Sequence, residues 1–276
     1  ITIPDTVRNV DDKCFFNCTN LRSVILPKYL TYLQKSMFEN CISLASINLT
    51  AIKTLYSRSF ANCGITFINF PNTLSSLESD VFIGCEKLHT ITVDENNTQY
   101  KAIDNVLFNI YCTKIIYYHY KKNSSNYIIP DGVITISKEC FKNNEYLKSI
   151  TIPDTVRTID ESSFAYCKSL SSITISQNIN YIGSMAFYFC TNLESITYEG
   201  KFDIICNSRI FEYCHKLKKI KVTPNYLHNS FLEIEFNNDG SIINPSTSPD
   251  IPDEFTPRPT QTPTPTPIPD ILETIE

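Results

Sequence analysis

Eleven cysteines and four histidines are the side chains of this 276-residue sequence best suited to chemistry. A thiol beside a histidine can form a nucleophile–base pair, and converging Cys, His and carboxylate groups can hold a metal. Neither pattern forms. His89, His119, His215 and His228 are never at ligand spacing, and there is no C-x-x-C pair. An odd cysteine count does not suit a closed disulfide framework. Cys214 adjoins His215, but a dyad requires the two groups to converge in a pocket. There is no G-x-S-x-G elbow, Gly-rich phosphate loop or H-E-x-x-H. The expectation is no catalytic residue, no cofactor and no metal. Carboxylates such as Asp11, Asp12, Asp160 and Glu161 fall on outer turns and read as solvated.

The cysteines do show a different order. Cys18, Cys41, Cys63, Cys85, Cys167, Cys190 and Cys214 recur at one position of a repeat of about 23 residues. Three residues before them run Phe15, Phe38, Phe60, Phe82, Phe164, Phe187 and Phe211, joined by Phe141. Three residues after them run Leu21, Leu44, Leu88, Leu170, Leu193 and Leu217, joined by Leu147. Two further apolar columns precede the Phe. One includes Val7, Val133, Val156, Ile179 and Phe202, and the other Val10, Ile136, Ile159, Ile182 and Ile205. A cysteine fixed at one position per repeat reads as a small buried hydrophobe. Cys14 and Cys140 share a second, core-like column. Cys112 and Cys206 lie outside both columns and are the reactive thiols to expect.

A period near 23 residues suits one coil of a leucine-rich or related β-solenoid. Each coil offers a short strand of the form L-x-x-I-x-I, such as Leu170 to Ile175, with Ile173 and Ile175 inward and Thr174 outward. Proline follows in several units (Pro4, Pro27, Pro71, Pro130, Pro153) and ends the strand, having no N–H for the ladder. Stacking these strands gives one parallel sheet, and no coil buries its apolar face alone. The I-T-I-P-D-x-V-x-x-I and F-x-x-C-x-x-L-x-S-I halves recur from Ile1 to about Val222. This pattern resembles the BspA-like leucine-rich repeat family of bacterial and protist surface antigens. The resemblance implies a solenoid with its sheet on the concave face, and a role in adhesion to host cells, matrix proteins or other microbes.

The outward strand positions form two nearly uncharged stripes. They run through Ser149, Ser172 and Ser195, and through Thr151, Thr174 and Thr197. Their plain explanation is that Thr suits strands and hydroxyls pair along a ladder; their functional one is an extended ligand face. The unit at 91–129 is irregular and resembles the family's long unit, in which a hairpin is inserted. Strands are placed near Val106–Asn109 and Lys114–Tyr120, and Tyr117, Tyr118 and Tyr120 offer aromatic contacts either to the solenoid flank or to a partner. Sequons occur at Asn17, Asn48, Asn96 and Asn123; Asn96 and Asn123, flanking this unit, are the expected glycan acceptors if the chain is secreted.

A leucine-rich-repeat domain is thus expected at 1–236, with a cap at about 221–236. Residues 237–276 are expected to form a disordered Pro/Thr-rich stalk, with nine prolines between Pro245 and Pro269. Fully extended, that stretch spans about 75 Å. The opening in mid-pattern at Ile1 suggests further chain upstream. A net charge of −5 does not suit a nucleic-acid surface, and no run of 18 apolar residues spans a membrane. The leading expectation is a non-catalytic, surface-displayed or secreted recognition protein for a protein or glycan ligand on a host or microbial surface. The alternative is a cytoplasmic scaffold that binds proteins and whose tail serves aromatic-grooved domains.

Overall fold

The computed structural model describes residues 1–119, 125–232 and 234–243. Among these residues there is no helix; short strands and turns repeat coil after coil. The L-x-x-I-x-I segments pair in parallel, as expected. Phe67–Phe70 lies beside Thr90–Val93, and Asn126–Ile128 beside Ser149–Thr151. Further along, Ser172–Ile175, Ser195–Tyr198 and Lys219–Val222 form a three-stranded ladder. The first coil joins the second at the bridge of Thr2 with Ile25, and its turn bonds to the second coil as well, the Phe15 N–H donating to the Met37 carbonyl at 3.0 Å.

The sequence pattern anticipates one strand per coil, and the structure supplies a second. Tyr32–Leu33, Thr54–Leu55 and Ser76–Leu77 form one parallel row. Thr135–Ile136, Thr158–Ile159, Tyr181–Ile182 and Ile205–Cys206 form another. Two residues are too few for an alternation to show in sequence. They pair because equivalent backbone groups of successive coils face each other at a constant offset.

The third side of each coil is the turn that carries the Phe. Here too the backbone bonds from coil to coil: the Phe38 N–H donates to the Ser59 carbonyl at 2.9 Å, and the Phe164 N–H to Ala186 at 2.8 Å. The turn requires left-handed backbone two residues before and two after the Phe, as at Ser36 and Asn40 or Ser162 and Tyr166. Asn tolerates that conformation. Asn40 Nδ2 donates to Asn17 Oδ1 at 2.6 Å and Asn62 Nδ2 to Asn40 Oδ1 at 2.8 Å, giving a short amide ladder. Gly84 ends it, with φ +72° and a Cβ position only 1.9 Å from Asn62 Oδ1.

The core is a spine of stacked rings. Phe15, Phe38, Phe60 and Phe82 stack with centroids 5.3, 5.7 and 5.8 Å apart; Phe141, Phe164, Phe187 and Phe211 do so at 4.9, 5.2 and 5.4 Å. The irregular unit joins the two halves. Tyr100–Ile103, Val106–Asn109 and Lys114–Tyr118 form an antiparallel meander, bulged between Leu107 and Phe108, whose last strand leads into the second parallel row at Thr135–Ile136. Leu107 and Tyr117 pack into the N-terminal core, and Val106, Phe108, Ile115 and Tyr118 into the C-terminal one.

Four column assignments change. Phe202 and Ile205, expected inward, are 80% and 72% exposed. Tyr198 to Cys206 spans one residue more than Ile175 to Ile182, so Cys206 pairs with Ile182 and takes the inward column, and Ile204 is buried. A one-residue slip moves every side chain to the other face. Cys14, expected in the core, is exposed, on the first coil, which has a neighbour on one side only among the described residues.

The C-terminal end is covered by Ser230–Phe231 paired antiparallel with Ile234–Glu235. The buried Phe231 stacks on Tyr198 at 4.6 Å. The cap continues past 236: the Ile220 N–H donates to the Gly240 carbonyl and Ser241 bridges Lys219, so residues to Ile243 join the last coil. The remainder of the Pro/Thr-rich segment, 244–276, lies outside the described residues.

Candidate functional site

The cysteine column is structural. Cys41, Cys63, Cys85, Cys167, Cys190 and Cys214 are buried. Each thiol points to the Phe carbonyl of the coil before it, at 2.8 to 3.2 Å. Burial pushes the Cys85 and Cys167 thiols up to about 12, far from the thiolate that a nucleophile requires. The Cys214 thiol faces the Phe187 carbonyl, whereas His215 is exposed beside the Tyr213 ring. The two are neighbours in sequence but do not converge. His89 contacts Thr90 Oγ1, His119 is buried, and His228 lies 3.5 Å from Asp203. Among the described residues no three His, Cys, Asp or Glu side chains come together as a metal site.

Two of the irregular unit's three singled-out tyrosines, Tyr117 and Tyr118, turn inward, while Tyr111 in its turn is exposed. Tyr117 is 9% and Tyr118 is 1% exposed, which corrects their assignment to a ligand face. Tyr117 packs against Phe82 at 5.7 Å, and Tyr118 against Phe141 at 4.8 Å and Tyr127 at 4.5 Å. Each ring ends one of the two Phe stacks. Burial pushes the Tyr118 phenol up to about 12. The signal was present in sequence: no Phe fills the spine column between Phe82 and Phe141, and adjacent strand residues point to opposite sides. Tyr120 and Asn123 lie outside the described residues. Asn96 is exposed in a turn where its N–H donates to Asp94 Oδ1 at 2.9 Å. Its neighbour Asn97 is buried, donating to the Pro71 and Leu74 carbonyls.

The hydroxyl stripes keep their register. Ser172 stands opposite Ser195 and Thr174 opposite Thr197, with Ile173 and Ile196 buried between them. Thr151, Ser172 and Thr174 are exposed; Ser149, Ser195 and Thr197 are half-buried. Ser149 Oγ donates to Asn126 Oδ1 at 2.7 Å, and toward the N-terminus Thr92 Oγ1 donates to Asn69 Oδ1 at 2.7 Å. The Ser171 N–H donates to the Lys148 carbonyl at 3.2 Å, linking the 149–151 coil to the next. Toward the N-terminus the stripes take on apolar members, Ile25 and Phe67, both exposed. Toward the C-terminus they end in charge: Ser195 pairs with Lys219 and Thr197 with Lys221. The result is a strand face whose middle coils carry neutral donors and acceptors, with apolar members toward one end and lysines at the other.

Stacked coils with parallel strands, an aromatic spine and a constant turn define a leucine-rich-repeat solenoid. The chain belongs to the BspA type leucine rich repeat family, whose model matches residues 1–115 and 112–238 in 6 copies. No curated protein sequence matches it significantly. Several solved structures share the fold. A leucine-rich-repeat protein from Eubacterium ventriosum is similar with a TM-score of 0.66 and 20% identity, over 90% of this chain and 83% of that one. The pneumococcal vaccine antigen PcpA gives 0.64 and 20%, over 82% and 69%. A leucine rich cell surface protein from Faecalibacterium prausnitzii gives 0.60 and 23%, over 80% and 78%.

Proposed function

We propose that this chain is a non-catalytic recognition protein displayed at the cell surface or secreted, which binds a protein or glycan through the outer face of its L-x-x-I-x-I strands. The carrying observation is the register that sets Ser172 opposite Ser195 and Thr174 opposite Thr197, with Ser149 and Thr151 on the coil before. A repeated, uncharged face costs little to desolvate and offers the same contacts on every rung, which suits an extended ligand. Proteins of the same fold include one described as a cell surface protein and one described as a vaccine antigen, in keeping with adhesion. The Pro/Thr-rich segment, proposed as the stalk of a 1–236 repeat domain, would hold the solenoid away from its support. Asn96, exposed in a turn, and Asn123 are the proposed glycan acceptors. No helix among the described residues is long and apolar enough to cross a membrane.

The test is labelling of intact and permeabilised producing cells with antibodies against residues 1–236. Signal on intact cells that external protease removes is the expected result. Signal only after permeabilisation overturns surface display and favours the cytoplasmic scaffold. Mass spectrometry of the native protein gives an independent reading, with glycan on Asn96 expected.

A further inference from the structure

The chain carries a net charge of −5, yet its last full coil is cationic. Lys216, Lys218, Lys219 and Lys221 fall within six residues, and no Asp or Glu occurs between Glu212 and Glu233. All four are exposed. Lys216 Nζ donates to Asn192 Oδ1 at 2.7 Å; no carboxylate lies within ion-pair distance of any of the four among the described residues. Asp239 on the cap has its carboxyl held below its ordinary value by Ser241, with a smaller part from Lys219. On the flanking row Glu194 is exposed, its carbonyl accepting from the Lys218 N–H.

The placement of two of these lysines is specific. Lys219 and Lys221 occupy the outward positions at which the preceding coils carry Ser195 and Thr197, then Ser172 and Thr174. The backbones of these two lysines therefore lie one rung, about 4.8 Å, from those of Ser195 and Thr197 on the same face. We infer that this end of the strand face binds an anionic polysaccharide. Sulfate or carboxylate groups meet Lys219 and Lys221, with Lys216 and Lys218 on the flank, and sugar hydroxyls exchange hydrogen bonds with Ser195, Thr197, Ser172 and Thr174. Charge complementarity selects the polymer and brings it in, with the salt dependence that exposed charges impose. A nucleic acid fits less well: single strands require aromatic rings on which bases stack, in a long basic groove, and the outward positions beside Lys219 and Lys221 are Ser and Thr, the exposed Phe67 lying coils away. The inference names the ligand class of the proposed recognition face and rests on that reading.

The test is retention of the full chain on immobilised heparin, against neutral dextran of similar length. The second protein is the double variant Lys219→Ser, Lys221→Thr, which carries the residues of the preceding coils and is expected to keep its melting temperature. Wild-type protein is expected to bind heparin and to be released by salt, and the variant to bind about tenfold more weakly. No retention of the wild type on heparin, or equal retention of the variant, overturns the inference. So does binding of single-stranded nucleic acid as tightly as heparin. Retention on dextran but not on heparin also overturns it, while leaving the neutral hydroxyl face intact as the recognition surface.

Discussion

At the scale of single residues, the thiols divide by position. The column cysteines other than Cys18 are buried with their thiols on carbonyls, and Cys14 alone of the eleven is exposed. A thiol-specific reagent on the native protein should label Cys14 fastest. The half-buried Cys18, Cys112 and Cys206 should follow, and the buried column members Cys41, Cys63, Cys85, Cys167, Cys190 and Cys214 should react only after unfolding. Rapid native labelling of Cys85 or Cys167 contradicts this. The assignment of Cys206 as an outlying thiol rested on counting residues, and the extra residue after Tyr198 shifted that count. A second residue-scale case is the nearly buried Glu39. Burial, the largest influence, pushes its carboxyl up. The two-pronged contact with Arg58, at 2.6 and 3.2 Å, Ser36 and Lys13 outweigh it, so the group lies below its ordinary value. A carboxylate depressed in the folded state stabilises it above the unfolded value, near 4.3, and that contribution is lost as the pH falls through the folded value. Arg58→Met should therefore lower stability at neutral pH and flatten its decline below about pH 4, as read from urea midpoints across pH. An unchanged acid limb would show that the pair contributes nothing.

At the scale of elements, the inserted meander couples the two halves of the solenoid. The sequence located it well: Val106–Asn109 appears as expected and the following strand starts at Lys114. Less legible was the direction of the rings: Tyr117, Tyr118 and Tyr120 together read as surface, although the gap in the Phe column between Phe82 and Phe141 is the place that Tyr117 and Tyr118 fill. Tyr118→Ala should remove about 3–5 kcal/mol and split thermal unfolding into two steps, since each half retains its own Phe stack. A single transition at the wild-type temperature would show that the halves are coupled elsewhere. The turn row makes a separate point. Gly84→Ala places a methyl against Asn62 in a left-handed conformation, and should cost more than 1 kcal/mol in chemical denaturation. The second strand row was illegible for a different reason. Each piece is a dipeptide, such as Thr158–Ile159, and pairing emerges only when coils stack.

At the scale of the whole molecule, periodicity carried most of the argument. Six kinds of position, repeated from Ile1 to Val222, specified the solenoid, its core and its outward stripes before any pairing was known. Function was less legible, because the residues that define the family are core residues and those that face a ligand are ordinary strand formers. Hydroxyls become a candidate site only when the register sets Ser172 against Ser195 and Thr174 against Thr197. The same register turns Lys219 and Lys221 from a local basic run into the charged end of a neutral track.

The account's central claim is that this face, and not the turn side of the coils, makes the contact. Beads coated with the full chain, presented to host or microbial cells, test it directly. Compared with wild type are two variants: Thr174→Glu with Thr197→Glu on the face, and Glu86→Lys with Lys87→Glu on the turn side. Adhesion abolished by the first pair and kept by the second, with all three proteins melting alike, is the predicted result. Adhesion unaffected by the face variant contradicts the account.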